Sequence, residues 1–226
     1  MDTPVLNELL EAQAAKRAVV LATRLSDGIQ KLIYPADKTQ DSWLLQAVSE
    51  VLASDKSRIV TDPDGAEWFL NAFNLPLRMI VIGAVHIAQP LSIMASIAGY
   101  DVTIVDPREA FASPERFPNV TVRCEWPDEA MADLAPDART AVVTLTHDPK
   151  LDDPALVAAL NSPCFYIGAL GSKKTHASRL ERLKAQGFDD QALSSIHGPI
   201  GLNIGGKSPA EIAISIMAEI TSVLRQ

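Results

Sequence analysis

The spacing of apolar residues divides the chain into two parts with different patterns. In the first part, strand-like runs flank Asp27-Gly28 and again flank the segment 62–65, and a turn sequence between two such runs predicts a hairpin. Between the two hairpins, apolar residues from 44 to 52 follow the helical spacing. We therefore expect a small α+β domain over residues 1–76 and a second domain over residues 77–226.

In the second part, Val- and Ile-rich runs alternate with amphipathic helical segments. The five runs are RMIVIGA, DVTIVD, VTVRCEW, TAVVTLT and CFYIGAL. This alternation predicts an α/β fold, a parallel sheet with helices on both faces. Right-handed crossovers favour a doubly wound, Rossmann-like strand order of about 3-2-1-4-5. Ligands of such sheets bind beyond the carboxyl ends of the strands, so the loops at these ends form the candidate site.

The turn after the first strand contains Gly83, Ala84, Val85 and His86. A dinucleotide-binding turn would have glycine in place of Val85 as well as Gly83, and Gly or Ala at the position of Ala88. Val85 instead places a branched side chain where the phosphates come nearest to the backbone. The N-terminus of the following helix could still bind an anion. The alternative is a tight turn that only joins a strand to a helix.

Polar residues follow the second and fourth strands. Asp106 comes 23 positions after Gly83, close to the spacing of a ribose-binding carboxylate, and Arg108 could contact a phosphate. The fourth strand is followed by Thr146, His147 and Asp148. A histidine beside a carboxylate suits acid–base chemistry or ligand binding. The alternatives are a capping carboxylate at 106 and a simple turn that begins at Asp148.

The loop after the fifth strand combines glycines, hydroxyls and lysines. Its candidate binding residues are Gly168, Gly171, Ser172, Lys173, Lys174 and His176. This composition at a helix start predicts an anion-binding loop, although the spacing is not that of a Walker A loop. A later glycine-rich segment, 196–207, adds Gly201 and Asn203. The alternatives are a solvated helix face for the lysines and a chain reversal for the later glycines.

Composition and charge narrow the class of protein. The net charge of −8 argues against a general nucleic-acid-binding protein, which needs a basic face. No apolar run reaches the roughly 20 residues that span a bilayer, and the acidic N-terminus does not have the features of a secretory signal. Cys124 and Cys164 have neither metal-site nor disulfide spacing, and we expect both to be structural, as small buried hydrophobes. These features predict a cytoplasmic protein without nucleic-acid or membrane partners.

The loops resemble, in the same order, those of the XdhC/CoxI family, the accessory proteins of xanthine dehydrogenase and related molybdenum hydroxylases. The resemblance covers about residues 78–226 and rests on GAVHIAQ (83–89), VDPREAFASPERFP (105–118), LTHDPKLDDPAL (145–156), YIGALGSKKTHASRL (166–180) and IHGPIGLNIGGKSPAEIA (196–213). It implies a Rossmann domain that binds molybdenum cofactor, as molybdopterin or its dinucleotide form. Such a protein would protect the cofactor during its sulfuration and pass it to the apo-enzyme.

The resemblance further implies a non-catalytic maturation factor whose partner is a xanthine dehydrogenase-like apo-enzyme. A cysteine desulfurase, a longer paralogue and a second copy of the chain are further expected partners. Longer family members carry a Gly-Gly-Cys segment in their N-terminal part, whereas residues 1–76 contain no cysteine. The rival hypothesis is an NAD(P)-dependent oxidoreductase that uses Asp106 or Arg108 for the ribose and a histidine as the acid–base group.

Overall fold

The computed structural model describes residues 2–15, 17–35 and 42–225. The chain forms two compact units, Met1–Leu75 and Pro76–Gln226. Each unit has its own hydrophobic core. Among the described residues, none of the helices is both long and apolar enough to cross a bilayer.

The first unit is a four-stranded antiparallel sheet with two helices. Its elements are α1 (Thr3–Ala14), β1 (Val19–Arg24), β2 (Gln30–Ile33), α2 (Ser42–Ser54), β3 (Arg58–Thr61) and β4 (Glu67–Phe73). The strand order is β2-β1-β4-β3, and the predicted hairpins β1–β2 and β3–β4 are confirmed. Gly28 and Gly65 turn these hairpins with φ angles of 74° and 86°, which glycine adopts without steric cost.

The second unit is built on a six-stranded parallel sheet. Its strands are β5 (Leu77–Ile82), β6 (Tyr100–Val105), β7 (Thr121–Arg123), β8 (Thr140–Thr144), β9 (Tyr166–Ala169) and β10 (Ile196–His197). They lie in the order β10-β9-β8-β5-β6-β7, and every neighbouring pair is parallel. The predicted Rossmann-like order 3-2-1-4-5 is therefore confirmed. The two-residue strand β10 extends it by one strand beyond the fifth.

Helices cover both faces of the parallel sheet. They are α3 (Ala88–Ile97), α4 (Pro127–Leu134), α5 (Pro149–Leu160), α6 (Lys173–Ala185), α7 (Asp190–Leu193) and α8 (Pro209–Arg225). The pair α3 and α8 packs on the face that carries Val81 and Val143, whereas α4 to α7 pack on the face of Ile80 and Val142. Successive strand residues point to opposite faces, so a sheet buried on both sides requires the unbroken apolar runs seen in the sequence.

Candidate functional site

The carboxyl ends of the parallel strands meet at one edge of the sheet. Ile82 pairs with Val105 on one side and with Thr144 on the other, and Thr144 pairs with Ala169. Neighbouring strands lie about 4.8 Å apart, so the loops that leave these four strand ends start side by side. The candidate residues after β5, β6, β8 and β9 are brought to this edge.

The turn after β5 is held in place by the loops around it. Gly83 has a φ of 106°, and a Cβ atom there would lie 2.5 Å from Cγ2 of Thr146, so the close approach requires glycine. The Ala84 amide donates to Oδ2 of Asp106 at 2.8 Å. The Ala84 carbonyl accepts from Nη1 of Arg116 at 2.9 Å. Polar groups of the protein itself therefore satisfy the backbone of Ala84.

Asp106 binds groups of its own chain with both carboxylate oxygens. The residue is completely buried. Its Oδ1 accepts from the backbone N and from Nε of Arg108, and its Oδ2 accepts from Nη2 of Arg108 and from Ala84. Burial acts to raise the pKa of Asp106, but the hydrogen bonds from Arg108 and Ala84 outweigh it, and the pKa lies below its ordinary value. The expected roles of Asp106 toward a ribose and of Arg108 toward a phosphate are thus replaced by a pairing between the two residues.

The two other residues of this turn differ in exposure. Val85 is half-buried and packs against the hydrophobic core on the α3 side of the sheet. His86 is exposed and precedes the first residue of α3 by two positions. His86 is therefore the residue of the 83–86 turn that offers a polar side chain to a ligand at this edge.

A buried carboxylate shapes the loop after β8. Asp152, in the first turn of α5, accepts from the backbone N and Oγ1 of Thr146 at 3.3 and 2.7 Å and from the backbone N of His147 at 3.1 Å. His147 is exposed and has a φ of 63°, which is uncommon for a residue other than glycine. Asp148 caps α5 by accepting from the backbone N of Lys150 at 2.9 Å. Its carboxylate therefore serves the helix and is not the partner of the His147 imidazole.

The loop after β9 leads into a helix whose first turn is basic. Gly171 has a φ of 149°, and a Cβ atom there would lie 3.1 Å from Thr175. Oγ of Ser172 caps α6 by accepting from the backbone N of Thr175 at 3.1 Å. Lys173 and Lys174 follow as the first helical residues. Both are exposed, and neither forms an ion pair with any residue that the structure describes.

Two of the predicted glycines have packing roles. Gly168 lies inside β9, where a Cβ atom would come within 2.5 Å of Cδ1 of Ile200. Gly201 has a φ of 93° and donates its backbone N to Oε2 of Glu219 at 2.8 Å. The hydroxyl of Tyr166 donates to the same oxygen at 2.5 Å. Close packing explains both glycines, so neither needs a ligand to account for it.

The last two candidate residues, His176 and Asn203, differ in burial. The ring of His176 lies against the backbone of Gly198, where a Cβ atom would come within 2.0 Å of Nδ1. Burial, together with the positive charge of Arg179, lowers the pKa of His176. Asn203 is exposed in the loop between β10 and α8. His176 therefore supports the loop after β10, and Asn203 has no packing role that would explain it.

A buried ion pair that the sequence pattern did not predict lies beneath these loops. Oδ2 of Asp152 lies 3.8 Å from Nη2 of Arg179. A signal for Asp152 was present, because positions 152, 155, 156 and 159 share one face of a helix and the last three are apolar. A carboxylate on such a face is buried and needs a partner.

The two cysteines differ from the expectation in one respect. Cys164 is half-buried just before β9, whereas Cys124 is exposed just after β7. The burial on which the expected structural role was based is partial for Cys164 and absent for Cys124, and that role stays a prediction. Burial raises the pKa of the Cys164 thiol, which keeps it protonated at neutral pH.

The polar groups at this edge suit anion binding better than acid–base catalysis. The carboxylates of Asp106, Asp148 and Asp152 all accept hydrogen bonds from backbone N–H groups of the protein. The described residues contain no group of three or more His, Cys, Asp and Glu side chains that could hold a metal ion. What faces outward is a basic helix start and exposed imidazoles.

The strand order and the glycine turn after the first strand define the second unit as a Rossmann-type domain with a basic loop at the carboxyl edge of its sheet. The family model described as the XdhC Rossmann domain matches residues 79–220. The chain belongs to the XdhC family, and the resemblance seen in its loops is confirmed.

Two named bacterial proteins are similar in sequence to this chain. The chain is 32% identical over 160 residues to the molybdenum cofactor insertion chaperone PaoD of Escherichia coli (strain K12), a match that covers 69% of this chain and 44% of PaoD. It is 31% identical over 144 residues to a probable xanthine dehydrogenase subunit of Bacillus subtilis (strain 168), with 63% and 42% covered. The chain thus spans less than half the length of these relatives.

A solved structure has the same fold along nearly the whole chain. It is the crystal structure of a xanthine dehydrogenase from Bacillus halodurans, with a TM-score of 0.58 and 20% sequence identity. The match covers 96% of this chain and 93% of that one, so the similarity in fold includes both units.

Proposed function

We propose that this chain is a maturation factor that binds molybdenum cofactor at the carboxyl edge of its parallel sheet. It assists the sulfuration of the cofactor and its insertion into a molybdenum hydroxylase of the xanthine dehydrogenase type. Membership of the XdhC family and similarity to PaoD support the proposal. The loops at the sheet edge supply the chemistry that such binding needs.

The observation that carries the proposal is the basic first turn of α6. Positive side chains at a helix N-terminus face the positive end of the helix dipole, which costs on the order of 0.3–1 kcal/mol for each charge. Lys173 and Lys174 carry this cost while exposed and without an ion pair among the described residues. A bound phosphate offsets this electrostatic cost, because it accepts hydrogen bonds from the N–H groups of the turn and attracts both ammonium groups.

The residues of this edge fit the parts of the cofactor. Its terminal phosphate needs cations and N–H donors, which we assign to the turn around Ser172 and to the two lysines that follow it. Its pterin ring is flat and polar, and we assign to it the exposed imidazoles of His86 and His147. When bound, the cofactor supplies the molybdenum chemistry of the client enzyme. The residues of this chain hold and orient it.

A nicotinamide dinucleotide fits this edge less well. To bind a ribose, Asp106 would have to release both Arg108 and the Ala84 amide. Val85 replaces the glycine that lets a pyrophosphate approach the backbone. We therefore expect weak or absent binding of NAD and NADP. A titration that gives a low-micromolar dissociation constant, about −8 kcal/mol, would favour the rival oxidoreductase hypothesis.

Identification of the ligand that purifies with the full chain tests the proposed function. The chain is produced in a strain that makes molybdenum cofactor and, as the control, in one that cannot. Mass spectrometry and pterin fluorescence after acid oxidation are expected to show a pterin only in the first preparation. Nucleotide absorbance without pterin would overturn the proposal. A client hydroxylase is the expected partner, while a cysteine desulfurase, a longer paralogue and a second copy of the chain stay predictions.

A further inference from the structure

Two loops at the sheet edge are connected beneath the surface by Asp152 and Arg179, whose side chains are each only 2% exposed. Asp152 holds the loop after β8 through Thr146 and His147. Arg179, on α6, donates from Nη2 to the carbonyl of Leu170 at 2.7 Å, in the loop after β9. The ion pair joins these two sets of contacts, so a buried path runs from one loop to the other.

The geometry of this pair is poor for an ion pair that only stabilises the fold. Its 3.8 Å separation is too long for a hydrogen bond, and Nε of Arg179 donates to no acceptor within the described chain. Burial raises the pKa of Asp152 and lowers that of Arg179, so each charge is disfavoured by its surroundings. Perturbed groups of this kind are concentrated at functional sites.

A neighbouring ion pair joins the same two helices, α5 and α6, with better geometry. Arg182 donates to both oxygens of Asp153, at 2.6 and 2.9 Å, in a fork-like contact. Asp153 and Arg182 also join α5 to α6, but the hydrogen bonds between them touch neither loop. Arg179 differs from Arg182 in that its Nη2 contacts a loop carbonyl, that of Leu170, as well as a carboxylate.

The backbone of His147 is the feature that this arrangement holds in place. Its left-handed φ of 63° is of a kind that persists where the surrounding structure enforces it, often at functional sites. The amide of His147 donates to Asp152 while the imidazole stays exposed. On the other loop, Leu170 directly precedes Gly171 and Ser172, which lead into the basic turn of α6.

We propose that Asp152 and Arg179 are positioning residues that hold the His147 imidazole and the basic turn of α6 together as one binding surface. The inference rests on the proposed function, because it assigns both loops to one ligand. The coupling between the loops is nevertheless a property of the chain alone, and it can be measured without a ligand.

The first test measures hydrogen exchange of the full chain without ligand. In Arg179→Gln, amide exchange at Thr146 and His147, which Arg179 does not contact, is expected to rise at least tenfold together with that of 170–173. In Asp152→Asn, amide exchange at residues 170–173 is likewise expected to rise. The matched controls Asp153→Asn and Arg182→Gln should change both loops by less than twofold.

The pattern of exchange decides the outcome. A rise confined to 170–173 in Arg179→Gln, or an equal rise throughout the second unit, would show that the loops are not coupled through this pair and would overturn the proposal. If Arg179→Gln fails to fold, Arg179→Lys keeps the charge but removes the guanidinium, whose Nη2 contacts both Leu170 and Asp152. The same two-loop response is expected from it.

The second test measures the affinity of the same variants for molybdenum cofactor. Asp152→Asn and Arg179→Gln are expected to lose at least tenfold, and the two controls less than twofold. Wild-type affinity in Arg179→Gln would overturn the positioning role and leave the proposed function standing. Coupled loops in a wild-type chain that binds no cofactor would overturn the proposed function and leave the coupling standing.

Discussion

Two turns at the same edge of the sheet join a parallel strand to a helix, and they use their polar groups in opposite ways. In the turn after β5, Ala84 donates to the buried Asp106, whose charge is balanced by Arg108. In the turn after β9, Ser172 caps α6, and the two lysines that follow have no ion-pair partner among the described residues. The Ala84 amide and the Asp106 carboxylate at the first turn are thus paired with groups of the protein, whereas the second turn carries exposed positive charge.

The contrast shows that a glycine turn does not by itself identify a binding site. Glycine marks a place where the backbone bends or comes close to another group. Whether the turn binds a ligand depends on whether its donors and charges already have partners. By this criterion the turn that most resembles a dinucleotide site is the weaker candidate, and the turn without a known phosphate motif is the stronger one.

The largest expected effect is on ligand affinity, in Lys173→Glu/Lys174→Glu. Charge-assisted contacts contribute about 1.5–3 kcal/mol each, and the substituted carboxylates also repel a phosphate, so affinity for molybdenum cofactor should fall at least tenfold. The loss should be smaller at high salt, which screens exposed charges. Lys56→Glu/Lys184→Glu changes the net charge equally at exposed positions that do not belong to this turn, and it should keep its affinity. Equal affinity in both double variants would mean that the phosphate binds elsewhere.

The next effect is on stability, in Asp106→Ala. This change leaves the buried Ala84 amide without an acceptor and Arg108 without its partner, which should cost about 1–3 kcal/mol in the free energy of unfolding. Cofactor affinity should change little, because Asp106 and Ala84 bind only protein groups, and the substitution does not alter His86, the residue of this turn assigned to the pterin ring. Urea unfolding measures the cost, with Glu109→Ala as the exposed control. A large loss of affinity with normal stability would reverse the assignment of the two turns.

A smaller effect is expected on the pH dependence of stability, through His176 beside the second turn. Its pKa in the folded protein is lowered, so the unfolded chain takes up the proton first as the pH falls below about 6.5. Stability from this group is therefore complete above that pH and is lost as the pH falls through the lowered value. His176→Gln should flatten the dependence of the unfolding free energy on pH in this range. Parallel curves for wild type and His176→Gln would contradict the assignment.

The smallest effect concerns the cysteines, which belong to neither turn. Cys164→Ala and Cys124→Ser should leave cofactor affinity unchanged within about twofold. Burial of Cys164 favours the neutral thiol, which is a poor ligand and nucleophile, and the exposed Cys124 has no partner arrangement among the described residues that would make it one. Loss of binding in either folded variant would show that a thiol takes part.

The sequence predicted the strands better than the roles of the polar side chains. Hydrophobic period and turn residues locate β1 to β9, but β10 has only two residues and no period to recognise. Asp106 has the spacing of a ribose-binding residue. Arg108, two residues later, nevertheless donates hydrogen bonds to both of its carboxylate oxygens. Asp148 stands next to a histidine, yet it precedes a proline-started helix and caps it. Spacing gives the position of a side chain, whereas its partner depends on which loops the fold brings together.

The contact between Thr146 and Gly83 bears on how a ligand would leave this edge. The strand order reverses between β5 and β8, where doubly wound sheets open a crevice. A Cβ atom at position 83 would lie 2.5 Å from Thr146, so the two turns touch at the base of that crevice. We therefore expect the proposed ligand to lie across the tops of the loops, with one side toward the solvent. A receiving protein could then bind that side before the first contacts break, and transfer would not depend on the opening of a hinge or lid.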